Sequence, residues 1–237
     1  MEIYSNQQVA EEYKDRSAIF SLAKVYMYFA LGLVLTGLTA FGFPYLIKAL
    51  GLRMEEYYIA ITVSAIVLLP LSLAVSFSGI FSRKNAILIT TLYVLYSIVM
   101  GCLLSSIFLV YDIQSIWYSL FVTAGAFVVM SLIGFITKGR MNGVATFLIS
   151  AAITCLVLTV VNIFMRSAMI YWIVSFVMLF VVLLFVAIDT NRVRRMAETK
   201  MLSNSNILSV YCAYCLYSDF ITLFMYVLRF IGVAKRD

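Results

Sequence analysis

The sequence predicts an all-α, polytopic membrane protein folded as a seven-transmembrane-helix bundle. Hydrophobic residues make up 64% of the 237 residues, and charged residues only 12%. A soluble domain of this size could not cover so much apolar surface with so few charges. Several apolar runs reach the roughly 20 residues that a helix needs to cross the hydrocarbon core. The loops between the runs are short, so neighbouring helices are expected to pack antiparallel.

Seven spans follow from the apolar runs, at about 25–47, 57–80, 86–110, 115–136, 143–164, 168–189 and 207–232. Residues 1–24 are polar and do not resemble a cleaved signal peptide, and the first apolar run is too long for one. We interpret residues 1–24 as a tail. No linker or strong repeat interrupts the rest, so residues 25–237 are predicted to form one transmembrane domain.

The basic residues predict the orientation of the chain in the membrane. The tail and the loops after the second, fourth and sixth spans carry eleven Lys and Arg residues, and the opposite side carries five. Because cytoplasmic loops are enriched in these residues, the N-terminus is predicted to be cytoplasmic and the C-terminus to lie across the membrane. The formal charge of +6 is explained by basic loops beside anionic lipid, so no nucleic-acid partner is predicted.

The residues that are absent exclude several kinds of site. The chain has no histidine, which excludes His-ligated zinc or haem, Ser–His and Cys–His nucleophile pairs and imidazole pH sensing. Because no histidine is present, any proton chemistry must use carboxylates. No Gly-rich phosphate loop occurs, and no cofactor is predicted. Cys212 and Cys215 form a C-x-x-C pattern within an apolar helix, where we interpret them as small buried residues rather than a redox pair.

Small residues within the spans predict close contacts between helices. Gly32, Gly37 and Gly42 in the first span, and Gly101 with Ser105 in the third, would let neighbouring helices approach closely. We interpret this pattern as packing.

Two of the eleven acidic residues, Asp189 and Asp219, lie within apolar segments. Ionisable groups in membrane helices are rare and usually face the bundle interior or a water-filled cavity. The polar run at 203–206 is the strong turn signal between the last two spans, and each aspartate lies fifteen residues from Asn204. A hairpin that turns there places both carboxyl groups at one depth on adjacent helices, provided that the sixth helix continues through 191–198.

Two adjacent and partly desolvated carboxylates cannot both ionise easily, so the pair is expected to titrate as a unit and to share one proton. When deprotonated, it offers oxygen ligands to a hard cation such as calcium. Arg83 ends the second span on the cytoplasmic side, where it could latch the pair or snorkel to the interface. Arg229 is interpreted as an anchor near the opposite surface. Alternatively, Asp189 only ends a helix at the interface and Asp219 hydrogen-bonds a neighbour.

The segments around both aspartates resemble a known family. "AIDTNRVRRM" at 187–196 and "LYSDFITLFMYVLRFIG" at 216–232 are similar to the two C-terminal motifs of the Bax inhibitor-1 family, the transmembrane Bax inhibitor motif proteins. The segments at 82–111, 127–141 and 160–169 also resemble parts of that family. The likeness runs from about residue 15 to the C-terminus.

The resemblance implies a seven-helix fold with the last helix at the centre, and a pH-sensitive calcium leak across the membrane. It implies that Asp189 and Asp219 sense pH, line the ion pathway and bind calcium transiently, and that Arg83 latches the closed state. In eukaryotes such proteins lie in internal membranes, the endoplasmic reticulum or Golgi, and suppress cell death. In bacteria they lie in the plasma (inner) membrane.

The sequence departs from the family pattern at four positions near the aspartates. Ile188 replaces the usual aromatic residue, Asn191 the usual Gln, Ser218 the usual Leu and Thr222 the usual Asn. Both carboxyl groups remain, so the expectation of pH sensing stands.

Two other classes of function remain open. An intramembrane aspartyl protease also carries two aspartates on its sixth and seventh helices, but its second motif needs Gly, any residue, then Gly-Asp. Here residues 216–219 read LYSD, so the chain is not expected to be an enzyme. The other alternative is a non-conducting regulator that binds other membrane proteins. The expected partners of a leak are calcium ions, protons and membrane lipid.

Overall fold

The computed structural model describes residues 2–51, 53–81, 86–137, 139, 141–199, 201–202 and 206–235. Seven helices in this part of the chain are long and apolar enough to cross a membrane, as the sequence predicts. The helices are α1 (Glu2–Ala49), α2 (Met54–Phe81), α3 (Ala86–Leu104), α4 (Ile107–Val110), α5 (Ile113–Ile136), α6 (Asn142–Met165), α7 (Ala168–Glu198) and α8 (Asn206–Ile231). The described residues form no strand, only an isolated antiparallel bridge between Tyr111 and Ala234.

At three places the helix boundaries differ from the ends of the apolar runs, and one of these differences is expected. The segment read as a polar tail is helical, because α1 begins at Glu2. The third span is divided into α3 and α4, where the hydroxyl groups of Ser105 and Ser106 donate to carbonyl groups three residues earlier at 2.6 and 2.7 Å. Such local bonds compete with the helical ladder. α7 runs on to Glu198, which confirms the continuation that the hairpin argument requires. Residues 203–205 of the predicted turn lie outside the described residues.

The chain divides into two compact units. The first unit comprises Met1–Val110 and Arg195–Tyr217, and so contains α1 to α4 and the first half of α8. The second comprises Tyr111–Arg194 and Ser218–Arg236, and so contains α5, α6, most of α7 and the second half of α8.

Buried hydroxyl groups and aromatic rings form the core of the first unit. Four buried tyrosines, two from α3 and two from α8, pack edge to face with ring centroids 5.2–6.4 Å apart: Tyr93, Tyr96, Tyr214 and Tyr217. The hydroxyl groups of Thr36 and Tyr217 lie 2.6 Å apart. Because Thr36 donates its own proton to the Ser97 carbonyl oxygen at 2.9 Å, Tyr217 is the donor to Thr36. These bonds join α8 to α1 and α3.

Two of the four glycines predicted to allow close helix contacts lie against a neighbouring helix, and two do not. A Cβ atom at Gly32 would overlap the Tyr93 hydroxyl and lie 2.7 Å from its Cζ, and one at Gly101 would lie 2.6 Å from the Thr39 side chain. Both positions therefore allow the close approach that the sequence predicts. At Gly37 and Gly42 nothing among the described residues lies within 4 Å of such an atom. The prediction of close packing is wrong there, because both glycines are exposed on the outer face of α1.

α8 is the most buried of the seven spans. Of its apolar stretch, 67% is buried, compared with 11–33% in the other six. Low burial is expected of helices that face lipid, and high burial of a helix surrounded by protein. This difference agrees with the central position implied for the last helix.

Candidate functional site

The structure brings Asp189 of α7 and Asp219 of α8 together in the second unit. Their carboxyl groups share a side-chain hydrogen bond, as the spacing around the hairpin predicts. Both residues are half-buried, and Oδ2 of Asp219 is fully buried with no hydrogen-bond partner in the described part of the chain. An ionised carboxylate can only accept hydrogen bonds. Because two carboxylates in contact would repel each other, a proton on the pair favours the contact.

An arginine lies beside the pair on α7. Arg192 follows Asp189 by three residues, on the same face of the helix, and interacts electrostatically with its carboxyl group. Its side chain is exposed, and solvent weakens interactions of exposed charges. The predicted latch, Arg83, lies outside the described residues.

Immediately after the pair, α7 is attached to the last turn of α5. Asn191 is fully buried, and its Nδ2 donates to the carbonyl oxygen of Gly134 at 3.1 Å and to that of Thr137. Arg194 donates through Nη1 to the Phe135 carbonyl oxygen, and its guanidinium group lies over the Phe135 ring, 5.7 Å from the centroid. The last carbonyl groups of a helix have no partner within the helix itself. Asn191 and Arg194 supply partners from α7.

The same two helices approach closely at Gly134. A Cβ atom there would overlap the carbonyl oxygen of Ala187 and would lie 2.8 Å from its carbonyl carbon. One turn earlier on α5, Ser131 accepts a hydrogen bond from the Thr190 hydroxyl at 3.3 Å. The α5–α7 contact therefore combines backbone packing with hydrogen bonds along residues 131–137.

Comparisons with known proteins establish the family. The family model described as "Inhibitor of apoptosis-promoting Bax1" matches residues 20–236. The chain belongs to the Bax inhibitor-1 family. It is 32% identical over 214 residues to the inner membrane protein YbhL of Escherichia coli strain K12, across 89% of this chain and 90% of that protein.

Two further relatives extend the similarity. The chain is 30% identical over 220 residues to an uncharacterized protein of Borreliella burgdorferi, across 91% of this chain and 93% of that protein. It is 27% identical over 215 residues to an uncharacterized membrane protein of Streptococcus pyogenes serotype M1, with 89% and 91% coverage. The names of the relatives and the seven apolar helices agree that this is an integral, multi-pass membrane protein.

Within this Bax inhibitor-1 fold, the sequence did not reveal what Gly134, Asn191 and Arg194 do. In the sequence, Asn191 stands out only as a replacement for the usual Gln of the first motif. The available signal was indirect: the fourth apolar run is followed by "TKGR" at 137–140, while the motif on α7 carries an amide and a guanidinium group. Which helix end those donors reach can be read only from the fold.

The pair alone does not form a complete calcium site. The described residues contain no cluster of three or more Asp, Glu, His or Cys side chains. Calcium takes roughly six to eight oxygen ligands, so two carboxyl groups supply only part of a coordination shell.

α8 carries one cationic side chain, Arg229, which contacts α7. Its Nη1 donates to Ser175 Oγ at 2.8 Å, and its guanidinium carbon lies 4.9 Å from the Tyr171 ring centroid and 5.2 Å from that of Tyr226. Two aromatic faces and a buried hydroxyl stabilise the charge there. Arg229, ten residues after Asp219 in the sequence, therefore forms a second contact between α7 and α8. It does more than anchor the end of the helix.

Proposed function

We propose that this protein is a pH-sensitive calcium leak, a channel or transporter whose opening depends on the proton shared by Asp189 and Asp219. The observation that carries the proposal is the hydrogen bond between two carboxyl groups on adjacent membrane helices. With the shared proton, the bond holds α7 and α8 together at this level. Without it, two like charges repel, and the pair must recruit a cation or separate.

Calcium is the proposed ion because deprotonated carboxylates are hard oxygen ligands that suit it. The family resemblance supports the same choice, and it also supports Arg83 as the residue that latches the closed state. We further propose a cytoplasmic N-terminus, from the distribution of Lys and Arg. A role in stress or cell-death regulation is proposed from the family resemblance alone.

A second candidate is a non-conducting regulator of other membrane proteins. The family model is described by an inhibitory action on another protein, which favours binding rather than transport. The pair would then set the shape of a docking surface instead of an ion path. Purified protein in liposomes separates the two functions, because only a leak moves calcium without a partner.

The test is calcium flux into liposomes that contain a calcium-sensitive dye, measured from about pH 5 to pH 8 to cover the range of a shared carboxyl proton. The wild-type flux should change with pH. Asp189→Asn and Asp219→Asn should each flatten the profile, and the double variant should add little, because the two groups act as one unit. Asp112→Asn is a matched control, since Asp112 lies at the start of α5 and makes no side-chain cap bond.

Two results would contradict the proposal. If folded wild-type protein conducts no calcium at any pH, the regulator becomes the better function. If the protein conducts but each single variant keeps the wild-type profile, the aspartates are not a coupled sensor.

A further inference from the structure

α7 lies between two partners in the second unit, and neighbouring residues on it face different ones. Asp189 hydrogen-bonds Asp219 of α8, whereas Asn191 hydrogen-bonds the end of α5. Residues two apart on a helix project about 200° apart and do not face each other. The contact with α5 therefore fixes the rotation and height at which α7 presents Asp189 to α8.

The chemistry of the contact specifies an amide. Both partners of Asn191 are carbonyl oxygens, which only accept, so the side chain must present its NH₂ group to them. Its Oδ1 is buried and has no partner in the described part of the chain. An aspartate would bring two acceptors to these carbonyls, and a leucine would bring no donor. Only a side-chain amide fits at this size.

The contact is also costly to lose. The carbonyl groups of Gly134, Phe135 and Thr137 would otherwise lack partners close to the membrane interior, where unpaired backbone groups are unfavourable. Arg194 adds a second donor one turn after Asn191. The absence of a side chain at Gly134 lets the Ala187 backbone approach within reach of these bonds.

We propose that Asn191 and Arg194 are positioning residues, which clamp α7 to the last turn of α5 so that Asp189 is held at Asp219. They act on the pair through the placement of Asp189. The inference deepens the proposed function and rests on it for its physiological meaning. The geometry can nevertheless be tested without ion flux.

The test measures how readily positions 189 and 219 approach each other. In a chain whose four cysteines are replaced by alanine, Asp189→Cys and Asp219→Cys are introduced together and the rate of disulfide formation in membranes is measured. Disulfides require the two Cβ atoms to come close, so the rate reports the placement of α7 against α8. Adding Asn191→Leu should slow the reaction by about tenfold, the order expected from losing one or two buried hydrogen bonds.

Three companion variants make the result specific. Asn191→Gln keeps the amide and should restore the rate to within about twofold, because its NH₂ group can still donate to both carbonyls. Thr123→Ala removes a different buried hydrogen bond of the second unit, the one within α5 to the Ser119 carbonyl oxygen, and should leave the rate unchanged. If Asn191→Leu does not fold, Gly134→Ala displaces α7 through packing alone and should slow the reaction similarly.

An unchanged rate in both Asn191→Leu and Gly134→Ala would overturn the proposal. So would equal slowing by Thr123→Ala, since the loss of any buried hydrogen bond in this unit would then suffice. These outcomes are independent of conduction. If the protein conducts no calcium but the variants show the expected disulfide rates, the positioning role of Asn191 and Arg194 stands and the calcium leak is refuted. If the protein conducts calcium but the disulfide rates do not change, the leak stands and the positioning role is refuted.

Discussion

Replacing Gly134 with alanine should separate α5 from α7 and weaken the whole fold of the second unit. The new Cβ atom would overlap the Ala187 carbonyl oxygen and lie 2.8 Å from its carbonyl carbon. Both are backbone atoms that cannot turn aside. Restoring ordinary contact at about 3.5 Å requires the helices to move apart by roughly 1 Å. The bond from Asn191 to the Gly134 carbonyl, now 3.1 Å long, would then exceed hydrogen-bonding distance.

The expected cost combines two effects. Overpacking a tight contact costs about 1–3 kcal/mol, and losing a buried hydrogen bond costs about 1 kcal/mol more. The assay is thermal or denaturant unfolding of the purified protein in detergent. Gly125→Ala is the matched control on the same helix, because nothing among the described residues lies within 4 Å of a Cβ atom there. That variant should be neutral or stabilise by up to about 1 kcal/mol through helix propensity. Equal stability of the two variants would refute the close approach at Gly134.

Three other predictions concern the rest of the chain. Single cysteines placed in the two tails should react with membrane-impermeant reagents from opposite sides, since basic residues are concentrated on one side; labelling of both from one side would contradict seven spans. Arg83→Ala should raise the basal calcium flux by removing the proposed latch, and an unchanged flux would leave Arg83 as an interfacial charge. Gly32→Ala should lower the unfolding temperature by crowding the Tyr93 ring, 2.7 Å from the new atom at Cζ, whereas Gly37→Ala on the same helix should not.

The spans and the acidic pair could be predicted because their signals are local in the sequence. Apolar length identifies a membrane helix without knowledge of its neighbours, and a carboxyl group inside such a run stands out by its cost. Predicting that Asp189 pairs with Asp219 required only the position of the turn and the equal number of residues from the turn to each aspartate. The structure agrees, since their carboxyl groups share a hydrogen bond.

The parts that could not be predicted depend on which face of a helix meets which neighbour. Gly32 and Gly37 are both glycines within the same apolar run, and the sequence does not distinguish them. In the structure, a Cβ atom at Gly32 would meet Tyr93 of α3, whereas one at Gly37 would meet nothing within 4 Å among the described residues. Asn191 bonds a carbonyl group 57 residues away, and no local rule connects a helix end to donors on another helix. Periodicity in α1 is too weak to choose an inward face, because nearly every position in a membrane helix is apolar.

The arrangement around the pair explains why the polar residues of the first motif are contiguous. Consecutive residues on a helix are turned by about 100° from one another, so a short polar run reaches several neighbours at one depth. Here Asp189 reaches α8, while Thr190 and Asn191 reach α5 at Ser131 and Gly134. Thr190 and Asn191, which hold α7 against α5, thus lie within about half a turn of Asp189, and Arg194 follows one turn after Asn191. Polar residues spread along the helix would hold it at other depths and leave Asp189 free to turn away from Asp219.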